Sequence, residues 1–274
     1  MPSFETQYVD STSNDAFRKH AYGQNVYLIN NVAMLSKLAW VCQTHSTQPH
    51  INHVIKDLYR GLLNVVVQTL FTRKTIEVPT RMADAHPKEA IFKGDVLDPS
   101  QKVVICGMAR AGTLPSMEVF EELSFLLHPK NVRADHIAMN RVTNENHKVQ
   151  DALIHGHKIG GNIDQSWVLL PDPMGATGSS INNVISLYKN SIEGTPRAFV
   201  CMNLIITPEF IHNVKTKHPQ AVIFALRLDR GFSSEKALQS IPGTYPEEEK
   251  GLNNIDYIVP GGGGLGELMN NSWT

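Results

Sequence analysis

Residues 172–180, DPMGATGSS, join an apolar run, SWVLLP, to INNVISLYKN, whose apolar residues recur at helical spacing. A carboxylate at the end of a strand, here Asp172, can accept two hydrogen bonds from vicinal hydroxyls. Pro173 removes a donor and stiffens the turn. Met174 and Gly175 lead to Ala176, Thr177 and Gly178, small enough for the backbone to curl around an anion. Ser179 and Ser180 add hydroxyl donors where the next helix begins, and free N–H groups at the positive end of a helix favour a phosphate. Read this way, the stretch is a seat for a phosphorylated sugar. The competing reading is a tight turn in which Ser179 caps the helix over Val184 and Ile185. Capping alone leaves the acid and the Ala-Thr-Gly turn unexplained, and the two roles are compatible.

These residues need a frame to hold them. From residue 101 the sequence alternates strand, glycine-bearing turn and helix: VVIC, GMARAG and PSMEVFEELSFLL, then ADHIAMN, SWVLLP and SSINNVISLYKN, then AFVCMNLIIT, PEFIHNVKTKH and AVIFALRL. The pattern predicts an α/β fold with a mostly parallel sheet covered on both faces. Ligand sites in such sheets lie at the carboxyl ends of the strands, where these loops fall. Residues 25 to about 95 read as mainly helical, because VAMLSKLAWVCQ and HVIKDLYRGLLNVVVQTLF carry apolar residues at three- and four-residue steps. THSTQPHIN is a loop between them, and TIEVPT reads as a short strand stopped by Pro79. Residues 1–24 read as a frayed arm and 231–254 as a long surface excursion, whose EEE run is a solvated face. Asp229 and Arg230 read as a salt-bridged turn. The expected organisation is one domain over 25–274, with its core at 101–230.

Composition excludes several alternatives. A formal net charge of -1 over 274 residues offers no broad basic surface for nucleic acid. The polar N-terminus has no apolar h-region, and the most apolar stretch, LLNVVVQTLF, is too short to span a bilayer. The expected location is cytoplasmic, without a membrane partner. Cys42, Cys106 and Cys201 are far apart and form no C-x-x-C, which suits buried free thiols. His155 and His157, and the group His45, His50 and His53, lack cysteine or carboxylate at ligand spacing, so no structural metal is expected there. GMARAG is not G-x-G-x-x-G, which argues against a nicotinamide cofactor.

DPMGATGSS is similar to the phosphoribosyl-diphosphate loop of uracil phosphoribosyltransferases, which usually runs D-P-M-L-A-T-G-G-S. Three further segments fall in the family's order. Arg110-Ala111-Gly112 resembles its R-A-G turn, Arg141 lies after ADHIAMN as does its second arginine, and Tyr257-Ile258-Val259-Pro260-Gly261 resembles its Y-I-V-P-G base-binding segment. A lone arginine after a strand is more often a surface ion-pair partner. Arg110 stands out because Ala-Gly follows it at a strand's carboxyl end, whereas Arg141 sits in the polar stretch RVTNENHKVQ with Lys148. The likeness covers residues 25–269.

The resemblance implies a type I phosphoribosyltransferase fold, with a C-terminal hood over the base. It implies transfer of a phosphoribosyl group from 5-phosphoribosyl 1-diphosphate to uracil, giving UMP and diphosphate, with magnesium on the substrate oxygens. By the same likeness, Arg110 and Arg141 would neutralise the diphosphate and Asp172 would hold the ribose hydroxyls. Thr177 to Ser180 would cradle the 5-phosphate, while Ile258 and the backbone at Gly263, Gly264 and Leu265 would read the uracil edge. Relatives of this kind are often dimers or larger, so a homo-oligomer is expected. The tail departs from the family's P-G-x-G-D-A-G-D: in PGGGGLGE (260–267) the first aspartate aligns with Gly264 and the second with Glu267, and Leu265 replaces alanine. Gly175 replaces leucine and Ser179 replaces glycine. A second reading therefore stays open, a weak or inactive relative that senses phosphoribosyl diphosphate or a nucleotide. Two retained arginines and Asp172 favour the enzyme, and the lost acid at Gly264 favours the sensor.

Overall fold

The computed structural model describes residues 5, 7, 8, 15–143 and 149–273, with 140–143 and 149–152 by main chain alone. In chain order the elements are β1 (Phe17–Arg18), β2 (Val26–Ile29), α1 (Val32–Val41), α2 (His50–Leu70), β3 (Arg73–Pro79), β4 (Ile91–Leu97), β5 (Lys102–Ala109), α3 (Thr113–Leu126), β6 (Val132–Thr143) and β7 (Val149–Lys158). They continue with β8 (Ser166–Pro171), β9 (Met174–Gly175), α4 (Ser179–Ser191), β10 (Ala198–Ile206), α5 (Pro208–Lys217), β11 (Val222–Leu228), α6 (Glu235–Leu238) and α7 (Leu265–Asn270).

β5, β8, β10 and β11 are nearly unbroken apolar runs because both of their faces are covered; β10 is buried at every residue after Ala198. The sheet order is β1-β2-β11-β10-β8-β5-β6-β7, with β9 added to the end of β10. Pairing is parallel from β2 to β6 and antiparallel only at the edges, β1 with β2 and β6 with β7. Helix α2 turns Ile51, Ile55, Leu58, Tyr59, Leu62, Leu63 and Val66 inward, a stripe of helical period. With α1, α3 and α7 it covers one face, and α4 and α5 cover the other. The expected mostly parallel sheet is what forms. Among the described residues no helix is long and apolar enough to cross a membrane. Cys106 and Cys201 are buried free thiols, pushed up to about 12 by burial.

Three expectations need correction. The 25–95 region is less helical than expected: VYLI forms β2 inside the central sheet, and the expected TIEVPT strand, β3, pairs with an unexpected β4 in a separate hairpin. That hairpin leaves Val78, Ile91 and Phe92 exposed, so β4 has no buried face to impose a readable alternation. The N-terminal arm is tied down where it is described. β1 extends the sheet, Tyr8 accepts a hydrogen bond from the Leu228 N–H at 2.7 Å, and Glu5 pairs with Arg230. The EEE run is not wholly solvated either, since the Glu249 side chain is fully buried against Arg230 and Tyr22.

Arg230 is the pin of this corner. Its Nε and Nη2 donate to the two Glu5 oxygens at 2.7 and 2.9 Å, and its Nη1 donates to Glu249. In place of the expected Asp229–Arg230 turn, Arg230 pairs with Glu5 and Glu249 while Asp229 pairs with Arg227. A buried pair is costly to break from one side, because the remaining charge keeps its desolvation penalty. Arg230→Met is therefore expected to destabilise the protein by about 3–5 kcal/mol in urea denaturation. An unchanged midpoint would show that the corner does not hold the arm.

Candidate active site

The 172–180 loop is fixed from below by the next strand. The Asp172 N–H donates to the Met202 carbonyl at 3.1 Å, and Asn203 Nδ2 donates to the Asp172 carbonyl at 2.6 Å. The Pro173 carbonyl accepts from the N–H groups of Leu204 and Ile205. Strand alternation then takes over: Pro173 and Gly175 are buried, while Asp172, Met174 and Ala176 line an open cleft. A Cβ at Gly175 would lie 2.7–2.9 Å from Phe210 and Ile206 side-chain atoms. Phe210 thus fills the room a leucine would need, which accounts for glycine at this place. Thr207 Oγ1 and Asn213 Nδ2 donate to the carbonyls of Ala176 and Thr177 at 2.7 and 2.8 Å. Those carbonyl oxygens are taken up by the protein.

The hydroxyls are not where capping would put them. Gly178, at φ 81, is the residue before α4 and has no side chain to cap it, and the first N–H of the helix, that of Ser179, donates to Thr177 Oγ1 at 3.4 Å. Ser179 Oγ instead bonds to Thr177 Oγ1 at 2.6 Å. Asp172, Met174, residues 175–181, Phe210 and Asp256 enclose a small hollow here, directly beside the larger cleft.

The Arg110 turn meets this loop through a close backbone approach. β5 and β8 are parallel neighbours, so both carboxyl ends reach the same edge. A Cβ at Gly112 would lie 2.7 Å from the Met108 carbonyl and 2.8 Å from the Pro171 carbonyl, leaving glycine as the residue that lets the turns touch. Arg110 lines the cleft; its Nη2 donates to Glu267 Oε1 at 3.0 Å, and its Nη1 donates to the Ser272 carbonyl and hydroxyl at 3.1 and 3.0 Å. The main chain of Arg141 pairs with Ala152 near the end of β6, two residues beyond Met139 in the cleft wall. The side chain of Arg141, and Lys148 altogether, lie outside what is described.

The C-terminal segment closes the third side. A buried fork anchors it: Arg227 Nε and Nη2 donate to the Asp229 oxygens at 2.6 and 2.8 Å, Arg227 Nη2 donates to the Gly261 carbonyl at 2.8 Å, and the Gly261 N–H donates to Asp229 Oδ2 at 2.7 Å. Glu209 accepts from the N–H groups of Gly251 and Leu252, and Leu252 bridges Ile258. Asp256, Tyr257, Ile258, Gly263, Gly264, Gly266 and Glu267 then face Asp172 and Arg110 across a cleft of about 670 Å³. Leu265 does not face it. Its side chain is 1% exposed and packs in the core, because it opens α7 on the inward side.

Sequence reasoning missed Asp256, Met108 and Met139 in this wall. Asp256 immediately precedes the Tyr-Ile-Val-Pro-Gly segment, a signal that was available. The methionines sit at strand ends among apolar neighbours and gave none. Gly175→Leu is expected to cost about 1–3 kcal/mol by overpacking. Combined with Phe210→Ala it should cost less than the sum of the two changes; additive costs in urea denaturation would show that the positions do not share the space.

The uracil phosphoribosyltransferase family profile matches residues 29–244. The chain is similar to a uracil phosphoribosyltransferase of Dictyoglomus turgidum, 28% identical over 212 residues that cover 77% of this chain and 86% of the relative. It is also similar to one of Sinorhizobium medicae, 26% identical over 245 residues that cover 89% and 97%. Among solved structures, the AQ2163 protein from Aquifex aeolicus aligns with a TM-score of 0.65 and 18% identity over 89% of this chain and 97% of that one, a likeness of fold. With a match that spans most of its length, this chain belongs to the uracil phosphoribosyltransferase family.

Proposed function

We propose that the protein transfers the phosphoribosyl group of phosphoribosyl diphosphate to uracil, giving UMP and diphosphate. The observation that carries this reading is the meeting of Asp172, Arg110 and the 256–267 segment in one cleft, with the 175–180 hollow opening beside it. The 5-phosphate sits in that hollow, against loop N–H groups, the Thr177 to Ser180 hydroxyls and the N-terminus of α4. Asp172 accepts the ribose hydroxyls. The diphosphate lies toward Arg110 and the N-terminus of α3, with Arg141 approaching from β6. Uracil lies under Ile258 and the Gly263–Gly264 backbone, whose N–H and C=O groups suit a flat imide. Leu265 takes part through its backbone at most. The protein is expected to act as a homo-oligomer.

The reaction asks for little covalent help. As the bond from C1 to diphosphate loosens and the bond to uracil N1 forms, N1 gives up its proton to water or to the departing diphosphate, while negative charge grows on the diphosphate and positive charge on the ribosyl carbon. Fixed donors at the diphosphate lower this barrier because they need no reorganisation as the charge appears. Holding the uracil edge and the ribose in line supplies the rest. Among the described residues no three carboxylates gather closely enough to hold a metal on their own, so magnesium would be held mainly by substrate oxygens, with Asp172 or Asp256 of the cleft wall as the carboxylates within the same site. Magnesium bound there would neutralise part of the diphosphate charge.

Arg110→Ala is expected to raise the barrier by about 2–4 kcal/mol, the scale for one preorganised donor. An unchanged turnover rate would remove Arg110 from the chemistry. Asp172→Asn should weaken phosphoribosyl diphosphate binding roughly 10- to 100-fold without changing the unfolding midpoint, as for loss of charged hydrogen bonds. Full affinity in that variant would overturn the reading of the loop.

A further inference from the structure

Arg110 does not project freely into the cleft. Its guanidinium is held by three acceptors of the C-terminal segment: one Glu267 carboxylate oxygen, the Ser272 carbonyl and the Ser272 hydroxyl. The Arg110 and Glu267 side chains are 36% and 31% exposed, so water reaches the pair and it can open. The other Glu267 oxygen lies where a Cβ at Gly264 would have to go. Glu267 therefore uses the room left by the glycine to reach Arg110. Leu265 and Met269, on the buried side of α7, anchor the helix independently of this contact.

We propose that Glu267 is a positioning residue that holds Arg110 and competes with the diphosphate for it. The inference rests on the reading of Arg110 as a diphosphate contact. A carboxylate and a phosphate oxygen compete for guanidinium N–H groups, and the Nη1 and Nη2 donors engaged by Ser272 and Glu267 are withheld from a phosphate until that contact opens. A carboxylate left beside an arriving polyanion also repels it. Binding thus exchanges one anion for another at Arg110 and loosens the Ser272 end of the tail at the same time. Glycine at 264 is then a requirement of this latch, since a side chain there would push Glu267 off the arginine.

The test is the dissociation constant of inorganic diphosphate, measured by calorimetry without magnesium, for the unmodified protein and for Glu267→Gln, Gly264→Ala and Arg110→Ala. Glu267→Gln keeps the shape of the side chain and should bind diphosphate about 2- to 5-fold more tightly, the range of a partly exposed ion pair. Gly264→Ala should shift the constant in the same direction, and both gains should vanish when Arg110 is also alanine. A structural role alone would not tighten a ligand. Unchanged or weaker binding by Glu267→Gln, with binding still weakened by Arg110→Ala, would overturn the latch and leave the site reading intact. If Arg110→Ala itself bound diphosphate like the unmodified protein, the assignment of Arg110 would fall, and the latch with it.

Discussion

The site depends on one contact between two stretches of backbone. The 110–112 turn lies against the Pro171 carbonyl with no side chain between them, and Gly112 is what permits it. Because β5 and β8 run parallel as neighbours, this contact sets the start of α3 beside the loop that leads into α4. The residue before α3, the start of α4, Arg110 and Asp172 therefore line one cleft. A side chain at 112 would push the 110–112 turn away from the end of β8.

The hood is held by a different device. It is a loop with glycine at four successive positions, 261–264, and glycine chains lose much entropy on ordering. The Arg227–Asp229 fork offsets part of that cost by binding the N–H and C=O of Gly261 from the end of β11. Gln48, just before α2, and Asn52, in its first turn, donate to the carbonyls of Leu268 and Met269 and finish the last turns of α7. Between these anchors, Gly263 and Gly264 remain in the cleft wall, where backbone groups can meet a ligand.

What was legible in the sequence follows the local physics. The parallel sheet showed in apolar runs such as AFVCMNLII, because double-sided burial leaves no polar alternation. The loop at 172–180 showed because an acid followed by small residues has few purely structural uses. The misses are contacts of long sequence range or absent burial. Glu249 looked solvated within EEE, and only its meeting with Arg230 and Tyr22 makes it internal. β4 has no buried face to announce it. Ser179 looked like a cap, yet its hydroxyl turns to Thr177. The partners of Arg110 lie more than 150 residues away, at Glu267 and Ser272, beyond any local pattern.

Family membership, fold and cleft make phosphoribosyl transfer to uracil the central claim, and the changed tail at Gly264 is where it is most exposed. The direct measurement is product formation by the purified protein with phosphoribosyl diphosphate, magnesium and uracil, run beside other free bases. UMP and diphosphate should appear in equal amounts with uracil. Binding of phosphoribosyl diphosphate with no nucleotide formed from any base would contradict the account and make this chain a sensor built on an enzyme's fold.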